Sequence, residues 1–160
     1  MPKLRPITEA DVPDVLALNE RNVELLAPMD EDRLHELNSL ADRFDVLEVD
    51  SGFAGFVITF TPGAPYDSEF YGWFTERYAE DFYYLDRIVL HEDFRRRGLG
   101  GFVYDEVESA ARKYGRLVLE VNVKPPNDPS IAFHTARGFT EVGRYEAGAK
   151  VVAMLEKSTP

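Results

Sequence analysis

The sequence contains no cysteine, only three histidines and no long uninterrupted run of hydrophobic residues. Without cysteine the chain can form no disulfide, no thiolate metal site and no cysteine nucleophile. The histidines, at positions 35, 91 and 134, are too scattered for a metal motif, so we expect no metal. No apolar segment approaches the roughly 20 residues that span a bilayer, and the N-terminus lacks a signal-peptide core. We therefore expect a cytoplasmic protein without a membrane partner.

Basic residues are also scarce, because 18 Lys and Arg stand against 29 Asp and Glu, for a net charge of −11. Residues 1–50 alone carry thirteen acids and five bases. Such a surface disfavours nucleic acid and attracts cationic partners. The length of 160 residues and the 44% hydrophobic content predict a single domain over residues 1–160.

Against this acidic background, residues 95–101 read Arg-Arg-Arg-Gly-Leu-Gly-Gly. We call this segment the arginine–glycine loop. It follows the apolar run 82–90 and precedes the helical pattern 102–114. Glycines let main-chain N–H groups approach a ligand closely, and a helix N-terminus carries partial positive charge. Arginine forks match phosphate oxygens. The segment therefore predicts a pyrophosphate site, with solvated arginines at an ordinary helix start as the alternative.

The spacing of the glycines decides between phosphate-binding motifs. A Walker loop needs four residues between its glycines and a following Lys-Ser or Lys-Thr, and neither is present. A dinucleotide fingerprint needs a third glycine where Val103 stands. What remains, Arg95-x-x-Gly98-x-Gly100, resembles the acyl-CoA pyrophosphate loop of the GNAT superfamily of N-acetyltransferases.

A second segment carries the same resemblance. Residues 127–139 read Asn-Asp-Pro-Ser-Ile-Ala-Phe-His-Thr-Ala-Arg-Gly-Phe. They resemble the second GNAT signature, with Asn127, Phe133 and the Gly-Phe pair at 138–139 in register. The combination of Pro125-Pro126-Asn127 with Phe133-His134 resembles a bacterial branch of predicted acetyltransferases. The chain departs from the family pattern at His134, where the family often has a tyrosine that acts as general acid toward the leaving thiolate.

Local patterns predict the order of elements along the chain. Strands are expected at residues 3–7, 44–50, 53–61, 82–90, 116–123, 139–145 and 150–156. Helices are expected at 8–26, with Thr8 as N-cap, and at 30–43, 102–114 and 130–137, with a loop and a short helix at 66–81. This order is that of the GNAT fold. The resemblance implies an α+β, three-layer domain with a mixed, mostly antiparallel sheet of six to seven strands. About four helices flank it, and strands 4 and 5 splay apart.

The resemblance also implies an activity, the transfer of an acetyl group from acetyl-CoA to an amine by direct attack within a ternary complex. The side chains of Ile88, Val89 and Leu90 are expected to pack as core while their backbone holds the pantetheine and the developing oxyanion. Asn127 is placed at the cofactor site by its match to the second signature. The pyrophosphate would be held by the arginine–glycine loop, made of Arg95, Arg96, Arg97, Gly98, Leu99, Gly100 and Gly101.

Two residues are candidates for proton transfer. Histidine can supply a proton near neutral pH, so His134 either replaces the family's tyrosine as the acid or only lines the thioester end of the pocket. Glu120, among β-branched neighbours on strand 5, is either the base that deprotonates the ammonium substrate or an outward-facing or salt-bridged strand residue. Asp86 and Asn122 are weaker candidates, and Asp86 is expected to pair with Arg87 or another surface cation.

Substrate specificity is expected in the first two helices, the final hairpin and the aromatic-acidic segment 66–81. That segment either caps the core or forms an acidic wall for a cation. Its acids favour a cationic amine: a polyamine, a basic amino acid, an aminoglycoside or a protein amine. Two rivals stay open, a transferase for a longer acyl-CoA and a non-catalytic acyl-CoA sensor. Many members of the family dimerise, so a homodimer is also open.

Overall fold

The computed structural model describes residues 1–160 and contains one seven-stranded mixed sheet. The order across the sheet is β1-β2-β3-β4-β5-β7-β6, and only the β4–β5 pair is parallel. The fold class expected from the sequence is thereby confirmed. The strands are β1 (Pro2–Pro6), β2 (Arg43–Val49), β3 (Gly52–Phe60), β4 (Tyr83–Leu90), β5 (Arg116–Lys124), β6 (Thr140–Ala147) and β7 (Lys150–Ser158).

Five α-helices flank the sheet. They are α1 (Val12–Arg21), α2 (Glu31–Leu40), α3 (Glu69–Tyr78), α4 (Leu99–Ala111) and α5 (Asp128–Ala136). Helix α3 is the short helix expected within residues 66–81, and it occupies most of the aromatic-acidic segment. It forms because the hydroxyl of Ser68 caps it by accepting the N–H of Tyr71, while Tyr71 and Phe74 supply a buried face. No helix is both long and apolar enough to cross a bilayer.

The helices divide into two layers, each with its own core. Helices α1, α2 and α3 cover one face of the sheet, where Leu18, Leu37 and Phe74 are fully buried. Helix α4 covers the other face and buries Val103 and Val107. The chain is therefore a three-layer α/β/α arrangement with the sheet in the middle.

The first helix ends earlier than its apolar pattern predicts. The N-cap is as expected, since Thr8 and Asp11 form a reciprocal capping box. Helix α1 then stops at Arg21 because the side-chain amide of Asn22 donates to the Leu18 carbonyl at 2.9 Å and takes the place of a main-chain donor. The apolar residues beyond it form a loop instead, residues 22–28, which lies beside the sheet.

Strands β4 and β5 separate almost at once. They pair only at Tyr83 with Leu117 and at Tyr84 with Val118, and the rest of both strands diverges. The splay expected between strands 4 and 5 is present. On its other edge β4 carries a bulge against β3: the register shifts across Asp86, which has no partner residue. Bulges of this kind redirect a side chain, and here the redirected side chain is a carboxylate.

Candidate active site

The gap between β4 and β5 opens into a cavity of about 750 Å³. Its floor is formed by the diverging strands, through residues 85–89 and 119–122. One wall comes from Tyr104 on α4 and from α5, and the opposite wall from the loop 22–28, the segment 66–70 and the start of β7. The volume is in the range of small-molecule sites in proteins. The three regions expected to set specificity all contribute to this one cavity.

The edge of β4 that faces the gap carries free main-chain amides. The N–H of His91 donates to the Ala54 carbonyl in β3 at 2.8 Å. Because amide direction alternates along a strand, the N–H groups of Leu90 and Ile88 point to the other edge, into the gap. The side chains behave as expected: Val89 is buried in one core, while Ile88 and Leu90 pack against the other.

The arginine–glycine loop ends at the first turn of α4. Gly98 is the N-cap, in the left-handed region with φ +74°, and Arg96 is also left-handed with φ +64°. The main-chain N–H groups of residues 98–101 have no acceptor within the protein. Free amides at the start of a 13-residue helix are suited to an anion.

The three arginines of this loop are exposed, and none of them pairs with a carboxylate. Arg95 reaches the Leu90 carbonyl and the Asn22 side chain only at 3.4 Å, and the Arg97 guanidinium lies over the Phe94 ring at 5.1 Å. No side chain closes the loop. A cluster of unpaired cations on a chain of net charge −11 is a local anion-attracting surface.

Glu120 lies in the cavity, at the centre of the diverging part of β5. The hydroxyl of Tyr84 donates to its Oε1 at 2.6 Å, and no protein group donates to Oε2. Desolvation, reinforced by the nearby charge of Asp86, raises the pKa of Glu120 well above its ordinary value, although Tyr84 and Arg87 oppose the shift. The salt bridge considered as the alternative role of Glu120 does not form.

Asp86, on the bulge, has both oxygens engaged. Tyr66 donates to Oδ1 at 2.5 Å, and Arg87 donates to Oδ2 at 2.6 Å. The expected pairing with Arg87 is confirmed, but the partner is buried, and its guanidinium also donates to Asn19 at 3.0 Å. Asp86 is therefore a fixed negative charge that shapes the field around Glu120.

His134 lies at the end of the cavity nearest α4, where its ring contacts a residue that the sequence analysis did not single out. The hydroxyl of Tyr104 is 2.6 Å from Nε2 of His134, and both side chains are buried. A sequence signal for Tyr104 does exist, since a phenol on the inward face of a helix needs a hydrogen-bond partner when it is buried.

The two asparagines have different surroundings. The Asn122 amide donates to the Leu25 carbonyl at 3.3 Å and so ties β5 to the loop 22–28, an architectural role. Asn127 lines the cavity at the N-terminus of α5, and its carbonyl accepts the N–H of Ile131. Its side chain makes no cap hydrogen bond and is free to contact a ligand.

Charges of both signs line the outer part of the cavity. Arg33 is paired with Asp67 at 2.6 Å, and this pair leaves no net charge. Glu69 at the mouth is exposed. Lys150, half-buried at the start of β7, has no hydrogen bond or ion pair and is the one unpaired cation of the lining. The acidic character expected of this region is thus only partial.

Comparison with known proteins fits this geometry. A sequence profile of the Acetyltransferase (GNAT) family matches residues 13–139. The chain therefore belongs to the GNAT acetyltransferase family, and it is an acyltransferase by class. Among curated proteins, no significant match to the sequence is found.

Solved structures of similar fold cover almost the whole chain. Ard1 from Thermoplasma volcanium is 18% identical with a TM-score of 0.76, over 99% of this chain and 98% of that one. Spermidine N-acetyltransferase from Vibrio cholerae, solved with CoA and spermine, is 17% identical with a TM-score of 0.73, over 99% and 95%. The yncA protein of Salmonella typhimurium, solved with its cofactor acetyl-CoA, is 16% identical with a TM-score of 0.71, over 100% and 95%.

Proposed function

We propose that this protein transfers the acetyl group of acetyl-CoA to a primary amine by direct attack within a ternary complex. The observation that carries the proposal is the splay: β4 and β5 pair at two positions only and then open into a cavity. Tyr104 of the cavity lining lies on α4, and the free amides of the arginine–glycine loop are at the start of that helix.

The residues present fit acetyl-CoA. Its pyrophosphate matches the unpaired N–H groups of residues 98–101 and the unpaired arginines at 95, 96 and 97. The extended pantetheine matches the free edge of β4, where the N–H groups of Ile88 and Leu90 face the gap. A main-chain N–H there also suits a thioester carbonyl oxygen as it gains negative charge. The structures of similar fold that contain CoA or acetyl-CoA support this assignment.

Glu120 is the residue best suited to act as the base that deprotonates the amine. An amine bound at neutral pH is an ammonium ion and must lose a proton before its lone pair can attack. Glu120 lines the cavity and no protein group donates to its Oε2. Its raised pKa makes the carboxylate a stronger base than an exposed glutamate. Asp86 is less suited, because Tyr66 and Arg87 already occupy its two oxygens.

The acceptor is proposed to be a small, partly apolar amine. Val23, Leu25 and Leu26 of the loop 22–28, together with Phe70, make their part of the lining apolar. Glu120 and Glu69 favour a cation, as in the neighbour solved with spermine, whereas Lys150 would favour a carboxylate on the same molecule. A polyamine and an amino acid are therefore both in the substrate class to be tested.

The experiment is a turnover assay with a thiol indicator. The purified protein is supplied with acetyl-CoA and a panel of amines: polyamines, basic and neutral amino acids, aminoglycosides, and peptides with a free N-terminal amine. Amine-dependent release of CoA, with an acetylated amine found by mass spectrometry, is expected for at least one class. Binding of acetyl-CoA with release only at the background rate throughout would contradict the proposal and favour the sensor. A parallel series of longer acyl-CoAs tests the other rival.

A further inference from the structure

Two helices bring a tyrosine and a histidine together at the inner end of the cavity. Tyr104 comes from α4 and His134 from α5, and both are 4% exposed. The phenol oxygen is 2.6 Å from Nε2 of the imidazole. The rings of Phe133 and Phe139 pack edge-on against both side chains and restrict their motion. Both members of the pair line the same cavity as Glu120.

The hydrogen bonds of His134 show which partner donates in its contact with Tyr104. Nδ1 of His134 lies 2.7 Å from the main-chain carbonyl of Ser130, which can only accept, so Nδ1 carries the proton. Burial lowers the pKa of His134, and the imidazole is neutral near pH 7. Nε2 is then an acceptor and the hydroxyl of Tyr104 is its donor. The phenol oxygen keeps its own lone pairs, and these are available on the cavity side.

We propose that Tyr104 and His134 form a proton relay that carries the proton released by the attacking amine to the departing sulfur of CoA. This inference rests on the proposed function and adds a path for the second proton of the reaction. Glu120 accepts the first proton, from the ammonium ion before attack. Tyr104 is the group that touches the reacting atoms, and His134 acts through it.

The step balances with no further reactant. After the amine nitrogen bonds to the carbonyl carbon, it gives a proton to the phenol oxygen of Tyr104 while the phenol's own proton passes to Nε2 of His134. When the carbon–sulfur bond breaks, the sulfur takes the proton from Tyr104 and Nε2 returns its proton to the phenol. One N–H bond is lost, one S–H bond is formed, and the pair ends as it began.

The surroundings of the pair disfavour a positive charge on His134, so the imidazole would hold the relayed proton only briefly. The Arg137 guanidinium lies over the Tyr104 ring at 5.5 Å and opposes a positive imidazole. Its charge is partly compensated by Asp105 and Glu108 on α4, and Glu108 in turn binds Lys157 of β7. Glu120 faces the pair from β5. Burial with a nearby cation therefore makes a charged His134 a good donor back to Tyr104.

The test compares Tyr104→Phe and His134→Gln with Tyr114→Phe, which removes a phenol outside the cavity. Loss of the relay should lower kcat by about 10²-fold or more in the first two variants while the KM and calorimetric affinity for acetyl-CoA stay near wild type. The glutamine can still accept a hydrogen bond from Tyr104 but cannot carry a proton. A His134→Gln variant as fast as wild type would reduce His134 to positioning and overturn the relay.

A second measurement does not depend on turnover. Nitrogen-15 NMR of the labelled imidazole is expected to show the Nδ1–H tautomer of His134 at neutral pH, and an Nε2–H tautomer would overturn the relay. Failure of the proposed function is separately visible, because the wild-type protein would then release no CoA in response to amines. Failure of the relay alone would leave wild-type turnover intact and Tyr104→Phe equally fast.

Discussion

Two carboxylates lie on the adjacent strands β4 and β5, and their hydrogen bonds give them different chemistry. Asp86 is saturated by Tyr66 and by the buried Arg87, and so it remains a fixed charge. Glu120 receives one hydrogen bond from Tyr84 and keeps the other oxygen free. The charge of Asp86 adds to the desolvation of Glu120 in raising the pKa of Glu120, so the first carboxylate supports the base role proposed for the second.

Replacing Glu120 by Gln keeps a hydrogen-bond acceptor for Tyr84 and removes the base. We expect kcat to fall by about 10²-fold at neutral pH, near the lower end of the range for general base catalysis, because a well-positioned amine still reacts through water. In the wild type, kcat/KM should rise with pH through the raised pKa of Glu120. Steady-state rates across a pH series would contradict the assignment if the rise persisted in Glu120→Gln.

The same variant has a predicted effect on stability. With its pKa raised in the folded state, Glu120 holds a proton that the unfolded chain has already lost, so the free energy of unfolding falls as pH rises between the two pKa values. Gln carries no such penalty. In thermal unfolding measured at about pH 5 and at about pH 8, the Tm of Glu120→Gln minus that of the wild type should therefore be larger at the higher pH. Each 1 kcal/mol corresponds to about 2–4 °C. An equal Tm difference at both pH values would argue against the raised pKa.

At the residue scale the sequence predicts positions better than partners. Glu120 and His134 both reach the cavity, because a strand position and a motif match locate them. Tyr104 was missed because the contact that gives it meaning joins α4 to α5 across 30 residues. The pairing of Asp86 follows from its neighbour, Arg87, but its place in the cavity depends on a bulge that no local pattern shows.

At the element scale, β4 is the strand on which the site depends. It is held on one edge by β3 and is open on the other beyond Tyr84, so its free amides have a fixed direction. The position of β4 is in turn set by a close approach at Gly55, where a Cβ would lie 2.2 Å from the Val89 carbonyl oxygen. Only glycine fits there, and its φ of +153° adds to the constraint.

Gly55→Ala should therefore push β4 away from β3. Overpacking of this kind typically lowers the free energy of unfolding by about 1–3 kcal/mol. Because the neighbour that must move is the main chain at Val89, we expect a loss of about 3 kcal/mol or more. Gly72→Ala is the matched control, because nothing lies within 4 Å of its Cβ in α3 and the change should stabilise the helix by about 0.5–1 kcal/mol. Denaturant titrations compare the two. An unaltered midpoint for Gly55→Ala would contradict the close approach.

Elements with strong local signals were predicted well, and those decided by tertiary contacts were not. The arginine–glycine loop and α4 follow from glycines, charge and helical spacing. The end of α1 does not, because the Asn22 side chain replaces a helical donor there. The short helix expected within residues 66–81 is present as α3, but its bounds depend on the burial of Tyr71 and Phe74, which no local pattern shows.

At the scale of the whole molecule, the order of elements resembles that of the GNAT fold, and this resemblance implied the three layers and the splay. The cavity itself was beyond the sequence, because its walls come from segments as distant as residues 22–28 and Lys150. That distance also explains why the lining is mixed in charge, whereas the acids of segment 66–81 alone favoured a cationic amine. Composition averages over the chain, whereas a site depends on the few residues that meet.

Binding of acetyl-CoA should stabilise the whole fold, because the ligand joins α4 to the diverging strands. At a ligand concentration of about 100 times Kd the gain is about 2.7 kcal/mol, which corresponds to a Tm increase of about 5–10 °C. Thermal-shift measurements with acetyl-CoA, and with adenosine as a control that lacks the pyrophosphate, test this. If adenosine raised the Tm as much as acetyl-CoA does, binding would not depend on pyrophosphate contacts with the arginine–glycine loop.

The central claim is that the main-chain amides of this loop bind the pyrophosphate of acetyl-CoA, and calorimetric titration of Gly100→Asp against Gly100→Ala tests it most directly. A Cβ at Gly100 only touches the Phe133 ring at 3.7 Å, and an acid in the first turn favours a helix, so both variants should fold. Gly100→Ala should bind acetyl-CoA much as the wild type does. Gly100→Asp should bind at least about 100-fold more weakly, since like charges brought together cost several kcal/mol. An affinity of Gly100→Asp equal to that of the wild type would contradict the account.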